Sequence, residues 1–154
     1  MSEFQKKKIF YIADFSLPNM SAYTLHVLKM CDAFSEKNYD TNLLIPHVKK
    51  DYNFEKIKKE YLLKKVFHIN SFFKNKLKRN IISSILFTLK ILKFLKSNKK
   101  PNLIISRSIF PALLLALVGQ KIILEIHTEP KGFTKIVFII HKFLKFSNRI
   151  KFIL

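Results

Sequence analysis

The chain has 154 residues, room for one domain of ordinary size, and 49% of them are hydrophobic, enough to bury a core rather than form a disordered basic tail. Its 29 Lys and Arg against 10 Asp and Glu give a formal charge of +19. One cysteine, two glycines and five prolines exclude a disulfide framework, a cysteine-rich zinc module and collagen-like or low-complexity architectures.

The basic excess is uneven. Residues 1–60 carry ten basic and eight acidic side chains, whereas residues 61–154 carry nineteen basic and two acidic ones, Glu125 and Glu129. No acid stands between Tyr61 and Leu124. A single-sign field of this kind attracts polyanions, either nucleic acid or an anionic membrane surface. Biased composition, in which Arg appears only three times, is the plainer source of part of it. The start, Met1 to Lys8, is polar and basic with no apolar segment ahead of a small-residue cleavage site, so no secretory signal is expected and the default location is cytoplasmic.

In chain order, Ile9 to Ala13 is a five-residue apolar run behind three lysines, the length and character of a buried strand. From Tyr23, residues Val27, Met30, Cys31 and Phe34 fall at helical spacing, with Lys29, Asp32 and Glu36 on other faces and Asn19 or Ser21 as the cap. A second strand is expected at 42–45, a short charged helix around Phe54, Ile57 and Tyr61, and a third strand at Val66 to Ile69. Asn80 to Lys96 reads as a longer helix, Leu103 to Ile105 as a strand, Ser108 to Val118 as a helix and Ile122 to Ile126 as a strand. Phe133 to Phe146 is the last predicted helix and Ile150 to Leu154 the sixth strand.

Continuous apolar runs, rather than alternation, point to strands covered on both faces, hence a mostly parallel sheet. The expected fold is therefore a single Rossmann-like α/β domain of about six strands with helices on both faces. Neither long apolar segment makes a membrane span: Lys90 and Lys93 interrupt the first, and Ile109 to Val118 has half the required length.

In open α/β sheets, ligands lie beyond the carboxyl ends of the strands, here Asp14–Ala22, His47, Asn70–Phe73, Arg107–Ser108 and His127–Glu129. The chain has no G-x-G-x-x-G, no G-x-x-x-x-G-K-[ST], no D-x-D pair and no G-x-S-x-G elbow. The stretch Leu124 to Pro130 delivers His127 to a strand end with Glu129 two residues on. An imidazole there suits a sugar hydroxyl or a diphosphate oxygen, and a histidine merely exposed on a loop is the plainer alternative. His26, in the first turns of a helix, is either a site residue or a half-buried packing histidine. Arg107 directly follows an apolar strand, where a guanidinium suits phosphate or carboxylate unless it is a surface cation. His47, His68 and His141 have no ligand spacing and read as structural.

Taken together, KIFYIAD at Lys8–Asp14, PNMSAYTLHVLKMCDAF at Pro18–Phe34, the second strand at Asn42–Ile45, NLIISRS at Asn102–Ser108 and ILEIHTE at Ile123–Glu129 resemble the N-terminal domain of a family 4 (group 1) glycosyltransferase of the GT-B fold. The resemblance runs over essentially the whole chain. It implies the acceptor-binding half of a retaining enzyme that uses a nucleotide-sugar donor as substrate, with no metal held by D-x-D and no further cofactor. By that resemblance His127 contacts the donor sugar or its diphosphate, Ser21 and Ala22 face the donor phosphates, and His26, Arg107 and Glu129 line the acceptor side. The first loop departs from the family pattern, with Asn19-Met20-Ser21 in place of paired glycines. The nucleotide-sugar domain with its E-x-x-x-x-x-x-x-E signature is absent from this chain, so the expectation is a truncated or severed domain, inactive or nearly so alone.

The basic half fits an envelope, lipid-linked or polysaccharide acceptor. Phe72, Phe73, Lys74, Lys76, Lys78 and Arg79 interleave aromatics and cations, as interfacial segments do. On the last predicted helix Lys131, Lys135, Lys142 and Lys145 share a face with Phe138 among them. Each lysine near an anionic leaflet contributes roughly 1 kcal/mol, so the expected location is cytoplasmic or peripheral at the inner face of the cell membrane. A solvated face with one stray aromatic is the plainer alternative. The competing function is a non-enzymatic basic module binding anionic membrane or nucleic acid; no helix-turn-helix, zinc or RNA-binding aromatic motif favours the latter. A small-ligand α/β enzyme acting alone lacks a recognisable nucleophile, metal set or cofactor loop.

Overall fold

The computed structural model describes residues 6–78, 80–98, 100–126, 135, 136, 139 and 149–153. Strand and helix alternate as β1 (Lys8–Ile12), β2 (Ser16–Leu17), α1 (Ala22–Glu36), β3 (Asp40–Ile45), β4 (His47–Val48), α2 (Phe54–Glu60), β5 (His68–Ser71), α3 (Ile81–Ser97), β6 (Leu103–Ser106), α4 (Ile109–Leu117), β7 (Ile122–Glu125) and β8 (Ile150–Ile153). The six longer strands form one sheet in the order β5-β3-β1-β6-β7-β8, every neighbouring pair parallel. The α/β architecture is thus Rossmann-like. Strand order reverses between β1 and β6, which opens a crevice at their carboxyl ends.

Side-chain alternation divides the core in two. Ile9, Tyr11, Ala13, Leu43, Ile45 and Ile105 meet Val27, Leu28 and Cys31 of α1 and Ile57 of α2 on one face. Phe10, Ile12, Leu44 and Ile104 meet Phe87 and Ile91 of α3 and Ala112, Leu113, Leu115 and Ala116 of α4 on the other. A strand buried on both faces has no polar side to show, which is why these runs read as continuous apolar stretches.

The helix ends are chemically marked. Ser21 caps α1 by accepting from the Thr24 N–H at 3.2 Å, and Asn53 caps α2 in the same manner from Lys56 at 3.0 Å. Asn80 and Ser83 form a reciprocal capping box at the start of α3. After α4, Gly119 takes φ +90° and its N–H and that of Gln120 close back onto Ala116 and Leu115, a turn that favours glycine.

Three features depart from the sequence expectations. The third strand lies two residues later than the apolar run suggests: β5 is an edge strand carrying Asn70, paired with Asn42, so its polar residues hid it, while Val66 is exposed and Phe67 packs into the core. Asp32, expected on a polar face of α1, is 5% exposed, and its carboxylate accepts the backbone N–H groups of Lys64 and Lys65. The pair β2–β4, Ser16 beside His47 and Leu17 beside Val48, was not anticipated. The expected helix at Phe133–Phe146 lies outside the described residues except at 135, 136 and 139. Among the described residues no helix is long and apolar enough to cross a membrane.

Candidate functional site

Loops leaving the strand tips are stitched together before any functional group is placed. The loop after β1, which contains a cis Leu17–Pro18 peptide, pairs with the loop after β3 through β2 and β4. Tyr61 pins it further: its hydroxyl donates to the Asn19 carbonyl at 2.8 Å and accepts the Asn19 N–H at 3.1 Å. The turn after β5 joins through Phe72 and Phe73 N–H groups, both donated to the Pro46 carbonyl, and through His47 Nδ1 at 3.1 Å from the Phe73 carbonyl oxygen. Loops so anchored make a fixed rim rather than a loose fringe.

Two cavities open on this rim, with Tyr23 in the wall of both. The larger, about 860 Å³, lies over the tips of β1, β3 and β5, with Asp14, Ser21, Phe73, Lys76, Lys78 and Phe87 in its lining. The smaller, about 450 Å³, is bounded by Ala22, Tyr23, His26, Arg107, Ile109 and Glu125.

A polar cluster floors the smaller cavity. Glu125 is the last residue of β7 and, two positions beyond Ile123, points to the α1 side of the sheet. The Tyr11 hydroxyl donates to its Oε2. The chain of register Tyr11↔Ile105↔Ile123 sets Tyr11 two strands away, a lateral distance of about 10 Å that a tyrosine side chain helps to bridge. His26 Nε2 lies 2.9 Å from Oε1 of the same carboxylate, and Arg107 Nε 3.9 Å from it. Burial, reinforced by the hydrogen bond to Glu125 and its charge, pushes the Tyr11 phenol far above its usual range.

Arg107 is the sharpest element of the cluster. A tight turn holds it: its N–H donates to the Ile12 carbonyl at 3.0 Å, and the Ser106 hydroxyl accepts the Ser108 N–H at 3.2 Å. The guanidinium lies over the Tyr23 ring, 4.6 Å from its centroid. The side chain is only 7% exposed, yet its Nη1 has no hydrogen-bond partner among the described residues. A buried guanidinium with an unspent donor is prepared for an oxyanion.

The structure therefore brings His26, Arg107 and Ala22 into one cavity and adds Tyr23 and Glu125 to its lining, with Tyr11 fully buried behind Glu125; the sequence did not single out these three as site residues. Tyr11 lies inside an apolar run, and Glu125 stands out as one of two acids in the second half of the chain and as a member of the ILEIHTE stretch, without an assigned role. Ser21 borders the larger cavity instead; its hydroxyl is engaged with Thr24 and its N–H with Asn19 Oδ1 at 3.2 Å. Phe72 and Phe73 are half-buried against the core, Phe72 edge-on to Phe87 and Phe94, while Lys74, Lys76, Lys78 and Lys135 are exposed. His127, Glu129, Arg79, Phe138, Lys142 and also His141 lie outside the described residues. Among the described residues, no three His, Cys, Asp or Glu side chains stand together as a metal would require.

Fold and cluster together define a class: a Rossmann-like α/β domain with a polar cluster in the crevice at its switch point. No protein-family model matches the chain, and neither the curated proteins nor the solved structures return a match.

Proposed function

We propose that the chain is the acceptor-side lobe of a retaining glycosyltransferase, which moves a sugar from a nucleotide-sugar donor to an envelope, lipid-linked or polysaccharide acceptor. The observation that carries this is Arg107 and His26 gathered on Glu125 at the crevice where strand order reverses. In such folds that crevice is where ligands bind. A guanidinium clamped from one side by Glu125 and from another by the Tyr23 ring keeps its orientation, and its spare Nη1 suits a phosphate or carboxylate of the acceptor. His26, 42% exposed and held through Nε2, adds an imidazole that faces both Glu125 and solvent.

The resemblance carried by ISRS at Ile105–Ser108 and by EIHTE at 125–129 supports the same assignment, since Arg107 of the first stretch and Glu125 and Ile126 of the second line this crevice. On this reading His127 contacts the donor sugar or its diphosphate, and Glu129 joins the acceptor side. Transfer breaks the bond from the anomeric carbon to the diphosphate oxygen and forms one to the acceptor oxygen, whose proton passes to the departing diphosphate. The nucleotide sugar is a substrate that a second, nucleotide-sugar-binding lobe holds.

Two measurements on one variant test this. Saccharides and polyprenyl-phosphate-linked saccharides, titrated into the purified chain, should shift the NMR signals of the Arg107 side chain and the His26 ring, with affinity about tenfold weaker in Arg107→Gln. In cells, deletion of the gene should remove one sugar from envelope glycans, restored by the wild-type gene and not by Arg107→Gln. Unchanged glycans, together with salt-sensitive shifts from short nucleic-acid duplexes instead of saccharides, would replace the proposal with a basic polyanion-binding module.

A further inference from the structure

The first three turns of α3 are apolar on both sides. Phe87, Thr88 and Ile91 are buried toward the sheet, whereas Ile81, Ile82, Ile85, Leu86 and Leu89 stand between 38% and 68% exposed. Spacings of three and four residues gather Ile82, Ile85, Leu86 and Leu89 on one outward stripe. Leu77, 40% exposed in the preceding loop, adds a sixth aliphatic side chain. A helix on the surface of a domain ordinarily turns charge outward at these positions. Here the charge is displaced to the two ends: Lys74, Lys76 and Lys78 before the helix, and Lys90, Lys93 and Lys96 in its later turns, all exposed.

We infer that this face of α3 docks on an anionic lipid leaflet. An apolar stripe flanked at both ends by lysines matches a surface that offers hydrocarbon below and negative headgroups at its rim. The same charge pattern disfavours a second copy of the chain as occupant. No acid occurs between Tyr61 and Leu124, so two such faces would meet lysine to lysine with nothing to neutralise them. A leaflet carries the opposite sign throughout. Docking also has a geometric consequence for the larger cavity, because Ser83 and Phe87 of α3 and Lys76, Leu77 and Lys78 of its leading loop line it. Docking therefore brings the wall that α3 and its leading loop contribute to that cavity next to the leaflet.

The inference does not depend on sugar transfer, and its test is separate. The purified chain is sedimented with phosphatidylcholine vesicles and with vesicles containing about 30% phosphatidylglycerol. It should bind the anionic vesicles at least about tenfold more tightly and release them as salt rises to about 0.5 M. The variant Ile82→Ser/Ile85→Ser/Leu86→Ser, at exposed positions, should keep its circular dichroism and melting temperature yet bind about tenfold more weakly. Lys74→Gln/Lys76→Gln/Lys78→Gln should lose a similar factor. Absence of binding to anionic vesicles would overturn the inference, as would binding indifferent to the aliphatic triple. So would a concentration-dependent dimer that the aliphatic triple abolishes. Shifts at Arg107 from free saccharides should be unchanged in the aliphatic triple, so docking and transfer can fail independently.

Discussion

Glu125 holds three side chains drawn from three distant parts of the chain, and each solves a problem for the others. Its carboxylate, 11% exposed, accepts hydrogen bonds from Tyr11 and His26 and pairs as an ion with Arg107, whose Nε lies 3.9 Å away. Arg107 in turn needs an anion beside it, because a buried guanidinium without one is costly. Tyr11 reports on this arrangement through its proton. Its phenol titrates far higher in the folded chain than the ordinary value of 10.0, chiefly from burial and next from Glu125. The folded chain therefore keeps a proton that the unfolded chain sheds above about pH 10, so this stability is fully present below that pH and declines above it by about 1.4 kcal/mol per pH unit. Cys31, fully buried and likewise shifted upward by burial, begins the decline about one unit lower. Urea unfolding between about pH 8 and pH 11 should show this loss, and Tyr11→Phe should flatten the part above pH 10. An identical slope in the variant would remove Tyr11 from the account.

Between elements, α1 illustrates what a one-dimensional pattern shows and what it misses. The spacing of Val27, Cys31 and their neighbours identifies the helix and its core stripe, and of the two cap candidates, Asn19 and Ser21, the structure uses Ser21. Asp32 carries no such signal, because a carboxylate beside an apolar stripe reads as a solvated face. Its partners, the Lys64 and Lys65 N–H groups at 2.7 to 3.1 Å, belong to the turn after α2, more than thirty residues away. Asp32→Ala removes the one carboxylate that accepts from both N–H groups and should cost about 1–3 kcal/mol in urea or thermal unfolding. Asp32→Asn, which keeps one oxygen, should cost less. Equal stability of the alanine variant and the wild type would show that the turn finds other partners. For α3 the extent from Asn80 to Lys96 was legible, but its outward aliphatic stripe was not, since only packing reveals which side meets the sheet.

Across the whole molecule, the parallel sheet is closed on its β7 side by β8. The Ile122 N–H donates to the Arg149 carbonyl at 2.8 Å, Ile150 is 2% exposed, and Arg149 Nη1 donates to the Ala116 and Leu117 carbonyls at the end of α4. Deleting residues 149–154 would uncover the edge of β7 and leave those carbonyls without the guanidinium. Soluble yield should fall and size-exclusion profiles should shift to aggregates, since an apolar unpaired edge is a template for other chains. A monodisperse, normally melting truncation would show that β8 is dispensable.

By itself, the sequence determined the alternation of strand and helix, the burial of β1, β3 and β6 on both faces and the concentration of positive charge in the second half. All three are local or additive properties, readable from runs, spacing and counts. Tertiary structure alone decided that Tyr11 and Glu125, 114 residues apart, share a hydrogen bond, and that His26 reaches the same carboxylate across 99 residues. Strand order and register create those meetings, and neither is written in the periodicity of any one segment. The outward side of α3 was decided in the same way, by which of its apolar faces the sheet had room to cover.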